Sequence, residues 1–215
     1  MAVLSVNVAR PREVLYRGRA VLTGIFKEPV AGRVRVGPLN LEGDEQADRR
    51  VHGGPDKAVY AYTRENYEAW ERELDRALPF GQFGENLTVR GMPETRIHIG
   101  DLFRMGSAVL EVSEPRAPCF KLGLKMGSPR FLKPFLESGR TGFYLRVLEE
   151  GEVEAGDSIE ALSIDPRRVT VLEMTRLLFS RENDPAGTEK ALAIPTLSGG
   201  LRFSLEERLA TFAAS

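Results

Sequence analysis

The only thiol in the chain belongs to Cys119, set in Glu114-Pro115-Arg116-Ala117-Pro118-Cys119-Phe120-Lys121-Leu122. Two prolines brace this turn, and Arg116 and Lys121 place a cation on either side of the sulfur. Nearby positive charge favours the thiolate, the form that attacks electrophiles or ligates a soft metal. The plain alternative is an inert small hydrophobe, a common fate of unpaired cysteine.

Three other segments hold residue types suited to chemistry. In Leu41-Glu42-Gly43-Asp44-Glu45-Gln46-Ala47-Asp48-Arg49-Arg50-Val51-His52-Gly53-Gly54-Pro55-Asp56-Lys57, charged and small residues precede a strand-like run. Gly53 and Gly54 permit backbone amides to approach a ligand, and Lys57 with Arg49 or Arg50 could neutralise a phosphate. An exposed turn explains the same glycines. His52 is placed to hydrogen-bond a cofactor or to order this loop. Phe83-Gly84-Glu85-Asn86-Leu87-Thr88 offers the Asn86 carboxamide, donor and acceptor together, to a heterocycle or to its own turn. His98 lies in an alternating stretch and reads as structural. A zinc site would require His52, His98 and Cys119 together, with none of the short ligand spacings such sites use.

Behind these segments stand 215 residues, 42% of them hydrophobic, enough for one substantial core and a small appendage. One cysteine allows no intrachain disulfide framework, which points to a reducing cytoplasm. A net charge of −1 and no basic stripe argue against a nucleic-acid polymer as partner. The N-terminal run lacks a charged leader, and no apolar stretch is long enough to span a bilayer, so a soluble, untargeted protein is expected.

Short alternating runs predict strands at Leu4 to Val8, Ala20 to Phe26, Arg33 to Val36, Ala58 to Tyr62, Leu102 to Met105, Ala108 to Val112, Phe143 to Leu148 and Ser158 to Leu162. Gly100-Asp101 and Gly156-Asp157 form matching turns into strands, as expected where short strands close into a barrel. One helix interrupts them: Thr63 caps a segment with Tyr67, Trp70 and Leu74 on its inner face. After Asp165-Pro166 the pattern turns helical. Thr170 to Glu173 reads as a capping box, Asp184-Pro185 as a second start, and Ser204 to Glu207 as a third. The expected architecture is therefore mainly β (α+β), with a barrel domain over 1–163 and a small three-helix domain over 164–215 that packs on the barrel or on a partner.

The segments GDEQADRRVHGGPDKAVYAY, FGENLTVRG, EPRAPCFKLG and TGFYLRVLEEGEVEAGDSIE, in this order, resemble the MOSC-domain family, named after the carboxyl-terminal part of molybdenum cofactor sulfurase. The layout is similar to the YiiM-like branch, a β-barrel followed by three helices. The resemblance covers nearly the whole chain and is looser in the helical tail. It implies a pterin-based molybdenum cofactor (Mo, molybdopterin type) with Cys119 as thiolate ligand to the metal and catalytic centre. Carried over by position, His52, Gly53, Gly54, Lys57, Asn86 and Arg116 face that cofactor. The family also includes pyridoxal phosphate binding as a possibility. Members of the YiiM-like branch reduce N-hydroxylated compounds such as hydroxylamino-purines as a detoxification, so the expected partner is a small N-hydroxylated substrate. One departure is visible: Glu114 stands where the family more often has glutamine, and a carboxylate there would pair with Arg116 and weaken its pull on Cys119.

A soft metal and a phosphate-bearing pterin want a sulfur donor, cations and paired hydrogen-bond groups, and the four segments supply them. Asp44, Asp48, His52 and Glu85 are candidates for proton delivery. No Gly-x-Gly-x-x-Gly turn and no cysteine set for a cluster are present, so electrons come from a separate protein or thiol donor. Two rivals use the same residues: a sulfurtransferase or sulfur carrier with a Cys119 persulfide, and a non-catalytic cofactor carrier. A cysteine hydrolase pairing Cys119 with His52 is disfavoured because no convincing helix is predicted to start at the nucleophile.

Overall fold

The computed structural model describes residues 1–47, 53–180 and 182–213. Its strands are β1 (Ala2–Val8), β2 (Arg12–Tyr16), β3 (Arg19–Thr23), β4 (Glu28–Val30), β5 (Val34–Val36), β6 (Val59–Thr63), β7 (Leu87–Arg90), β8 (Leu102–Met105), β9 (Ala108–Pro115), β10 (Phe143–Glu149), β11 (Gly151–Val153) and β12 (Ile159–Ser163). The helices are α1 (Arg64–Leu74), α2 (Phe120–Lys125), α3 (Leu132–Glu137), α4 (Val171–Phe179), α5 (Pro185–Leu192) and α6 (Gly199–Ala213). No helix among the described residues is long and apolar enough to cross a membrane.

Eight strands form one mixed sheet in the order β12-β8-β9-β10-β6-β7-β1-β4, with β2–β3 and β5–β11 as separate two-stranded ladders. Only β6 and β7 run parallel within the large sheet. Strand β6 shows why its apolar run is continuous. Val59 and Ala61 enter an aliphatic core, while Tyr60 and Tyr62 enter an aromatic one on the opposite face. A strand covered on both sides needs no polar positions. The aliphatic core continues into the tail through Val171, Met174, Leu177, Ala191, Leu201 and Leu205, so α4 to α6 bury their apolar stripes on the sheet.

Among the described residues the sheet forms no closed barrel. Strands β12 and β4 end the sheet, which curls until Ala2 makes a single antiparallel bridge to Ser158. Around it Val3 N–H donates to Asp157 O at 2.9 Å and Ile159 N–H to Met1 O at 3.0 Å. The chain there is a turn with Gly156 at φ 100°, whose N–H donates to Val3 O at 2.8 Å. The two Gly-Asp turns are alike. Asp101 accepts the His98 N–H and Asp157 the Glu154 N–H, each at 2.9 Å. His98 Nδ1 also lies 3.0 Å from Asp101, which fixes the ring in the structure.

Helix α1 is capped by Thr63, whose Oγ1 accepts the Asn66 N–H, and it buries Tyr67 and Trp70. The Thr170 capping box and the Asp184 cap form as read. The last helix starts at Gly199 rather than at Ser204. Ser198 Oγ accepts the Leu201 N–H at 3.2 Å and so does the capping, while Ser204 sits inside the helix bonded to Gly200 O. Helices α2 and α3 and strands β2, β4 and β11 have no counterpart in the sequence reading. Gly123 lies within α2 and Pro134 within α3, residues of poor helix propensity. Their helicity comes from packing: a Cβ on Gly123 would meet Pro129 Cα at 3.0 Å.

Gly142 joins the two cores. It adopts φ +70°, and a Cβ would meet Ala61 O at 2.5 Å and the Tyr60 and Tyr62 rings at 2.8 Å. Gly142→Ala is expected to cost about 2 kcal/mol or more, read as a lower urea midpoint at unchanged m-value.

Candidate functional site

The cleft beside Cys119 is built on the aromatic core. Tyr60 reaches through from β6 and donates its hydroxyl to Thr141 O at 2.7 Å. Arg116, directly after β9, lies with its guanidinium carbon 4.8 Å from the Tyr60 ring centre and 5.7 Å from that of Phe135. A planar, weakly hydrated guanidinium suits such a seat. Burial opposes its charge, but its interactions with Tyr60, Tyr144 and Cys119 more than offset this and hold it above the ordinary arginine range. Burial likewise pushes the Tyr60 and Tyr144 hydroxyls up, so both stay protonated.

A polar network closes the floor. Asn86 Oδ1 accepts the Tyr60 N–H at 3.1 Å, and Asn86 Nδ2 donates to Asp44 Oδ2 at 2.9 Å. Asp44 also accepts the Ala9 N–H at 2.9 Å and forms a buried ion pair with Lys27. Burial lowers the Lys27 pKa, against the pull of Asp44. The Asn86 carboxamide thus joins β6 to Asp44 while lining the cleft. Beneath, Glu85 is fully buried and accepts from Tyr67 Oη, Gly81 N, Phe83 N and Thr88 Oγ1. It does not line the cleft; Asp44 does.

Cys119 is half-buried at the cleft wall. It immediately precedes α2, and its carbonyl accepts the Leu122 N–H at 3.0 Å. A helix therefore does start at the cysteine, contrary to the expectation from sequence. The cleft is partly open to solvent, and its empty space, open solvent included, is about 650 Å³. Lys27, Lys57, Arg116 and Lys121 line it against Asp44 and Glu45, leaving it positive.

Lys57 ends the short turn Pro55–Lys57 and pairs with Glu114 at 3.3 Å. Glu114 also accepts from Ser198 Oγ at 3.0 Å, the hydroxyl that caps α6. The ion pair seen for Glu114 is thus with Lys57, where Arg116 was expected. Arg146 adds a second tie: it pairs with Asp56 and Glu111 and donates to Thr196 O at 3.1 Å. The helical tail therefore holds the turn that carries Lys57.

Of the residues singled out from sequence, Cys119, Lys57, Asn86 and Arg116 meet in this cleft. Gly53 and Gly54 are near in sequence to Lys57 but do not line it. Gly54 adopts φ 100° and accepts the Lys57 N–H. His52, Asp48, Arg49 and Arg50 lie outside the described residues. Lys27, Tyr60 and Tyr144 were missed. The tyrosines sit in apolar runs that look like core alone, and Lys27 has no local signal, since only the fold sets it against Asp44.

An open, curled β-sheet backed by three C-terminal helices, with one thiol in a cation-lined cleft, defines a MOSC-type protein. The MOSC domain profile matches residues 48–160 and the YiiM-like 3-alpha helix domain profile residues 169–212, and the chain belongs to the MOSC-domain family. It is 42% identical to the uncharacterized protein YflK of Bacillus subtilis over 207 residues, covering 96% of this chain and 94% of that one. A "Reductase" of Gibberella moniliformis is 36% identical over 168 residues, which span 76% of this chain and 30% of that longer protein. Among solved structures, YiiM from Geobacillus stearothermophilus superposes with a TM-score of 0.82 at 32% identity, covering 97% of this chain and 98% of its own.

Lys125 reports the electrostatics of the site. Its ammonium donates to Ile25 O at 2.9 Å and to Gly81 O at 2.5 Å. Burial pushes its pKa down to about 8; Glu85 opposes this, while Lys27, Arg116 and Arg12 push it further down. The unfolded chain holds this proton to about pH 10.5, so Lys125 destabilises the fold most below pH 8, and that cost is relieved as pH rises from 8 to 10.5. Unfolding titrations across that window are expected to show a positive slope for this group that Lys125→Met lacks.

Proposed function

We propose that the cleft holds a pterin-based molybdenum cofactor with Cys119 as its thiolate ligand, and that the protein reduces N-hydroxylated compounds, hydroxylamino-purines among them, with electrons from a separate donor. The observation that carries this reading is the meeting of the sole thiol with Lys27, Lys57, Arg116 and Lys121 in one cleft. Among the described residues no group of three His, Cys, Asp or Glu could hold a bare metal ion. One sulfur with several cations instead suits a metal that brings further donors on its own anionic organic ligand. Membership of the MOSC family and the likeness to a protein named reductase support the same reading.

The cofactor, when bound, supplies the redox chemistry for breaking the N–O bond. The balance is simple: two electrons and two protons enter, the nitrogen gains a hydrogen, and the oxygen leaves as water. Arg116 and Lys57 bind anionic groups of the cofactor. Arg116 is held by its aromatic seat and Lys57 by Glu114, so little ordering is needed on binding. Tyr144, kept protonated by burial, can donate, whereas the Tyr60 hydroxyl is already given to Thr141 O and its ring seats Arg116. Lys27 Nζ and Asp44 face the cleft as a buried pair, and burial eases release of the Lys27 proton toward the substrate.

Protein made in a molybdenum-replete, cofactor-competent host is expected to contain near-stoichiometric molybdenum, with a clear fall in Cys119→Ser. Equal metal in both, or none in either, refutes the assignment. Pyridoxal phosphate in place of a pterin in the extracted organic group would refute it too. Mass spectrometry showing one added sulfur on the Cys119 peptide would support the sulfur carrier, and metal without turnover on any N-hydroxylated substrate the cofactor carrier.

A further inference from the structure

The β2–β3 hairpin stands apart from the main sheet as a two-stranded ladder, and among the described residues no other strand or helix packs along it. No residue from Arg12 to Leu22 is buried. The tip is tight. Tyr16 pairs with Arg19, and between them Arg17 at φ 51° and Gly18 at φ 77° take the positive φ that such a two-residue turn needs. An isolated hairpin of this kind has little stability of its own.

Both roots of the hairpin are fixed, and by the cleft itself. Ahead of β2, Ala9 donates its N–H to Asp44 Oδ1 and accepts the Glu45 N–H, each at 2.9 Å. After β3, a Cβ on Gly24 would run into Glu45 O, and Ile25 O accepts from the Lys125 ammonium at 2.9 Å. Asp44, Glu45, Gly24 and Ile25 all line the cleft. The arm meets the body again through aromatic rings. Near the root Arg12 lies 4.2 Å above the Phe26 ring. At the far end Tyr16 rests on Phe120, with ring centres 5.5 Å apart and planes tilted by 31°. Phe120 stands between Cys119 and Lys121, which both line the cleft.

We propose that this hairpin is a strap governing access to Cys119: pinned at its roots, it lifts its tip from Phe120 to admit a bulky ligand and settles again beside the thiol. One aromatic pair at the tip holds weakly enough for the open form to be visited. The anchored roots confine the movement to the arm, so the main sheet stays closed while the strap is open. The inference goes beyond the cofactor assignment and holds for whatever group the cleft takes.

Because the chain has a single thiol, its labelling rate tests the strap directly. The full chain, prepared without molybdenum cofactor, is treated with dithiobis-nitrobenzoate, a bulky aromatic disulfide, and in parallel with iodoacetamide, a small reagent. Tyr16→Ala is expected to react with the disulfide about fivefold faster than the parent, the scale of one aromatic pair. Its iodoacetamide rate should equal the parent's. Tyr16→Phe, which keeps the ring, should match the parent with both reagents. Tyr16 is partly exposed, so its loss leaves the cores intact, and the urea midpoint of Tyr16→Ala should be unchanged. Amide hydrogen exchange over residues 12–23 should quicken in Tyr16→Ala while that of β6 and β9 does not. Equal disulfide rates in Tyr16→Ala and parent overturn the strap. So does an equal gain with iodoacetamide, which would place the effect on the thiol rather than on access to it. Hairpin exchange that Tyr16→Ala leaves unaltered overturns it as well.

Discussion

Keeping positive charge out of water is the constraint on which this structure depends. Lys27, Arg116 and Lys125 are all drawn into the protein around one cleft, and burial works against the charge on each. An unsupported buried cation would cost several kcal/mol. The fold answers with three different supports: a carboxylate for Lys27, aromatic faces for Arg116, and backbone carbonyls for Lys125. The supports themselves are fixed by further bonds, Asp44 by Ala9 and Asn86, and Tyr60 by Thr141. Much of the polar structure in this half of the molecule serves to hold charges where solvent would otherwise hold them.

The two-core arrangement makes this possible. Period-two alternation along β6 sends small aliphatic residues one way and tyrosines the other. The aliphatic side is sealed by the C-terminal helices. The aromatic side, covered by α1, α2 and α3, gives rings whose hydroxyls and faces can meet a cation. Without both coverings, the central strands would expose one face.

How much was legible in the sequence follows from the range of the forces involved. Caps such as Thr63, Thr170 and Asp184 act within three residues and could be read directly. The Gly-Asp turns were equally local. Cys119, Lys57, Asn86 and Arg116 were recognised as chemically capable, and the fold brings them to one cleft. What failed to show was non-local. Helices α2 and α3 contain Gly123 and Pro134 and are held by contacts with distant elements. Lys27 acquires meaning only from Asp44, seventeen positions away. Turn chemistry reveals where a strand begins but not whether the two ends of a sheet meet, and among the described residues they do so through the isolated bridge of Ala2 to Ser158. At Ser204 a genuine capping pattern was overridden by Ser198, whose hydroxyl also had Glu114 to bind.

That hydroxyl has a wider significance. Ser198 accepts from the backbone of the final helix and donates to the carboxylate that restrains Lys57. One oxygen thereby makes the folding of the carboxyl-terminal appendage and the readiness of the ligand cavity a single cooperative event. Whatever loosens the last helix would also slacken the hold on Lys57, and anything that fixes Lys57 would in turn brace that helix.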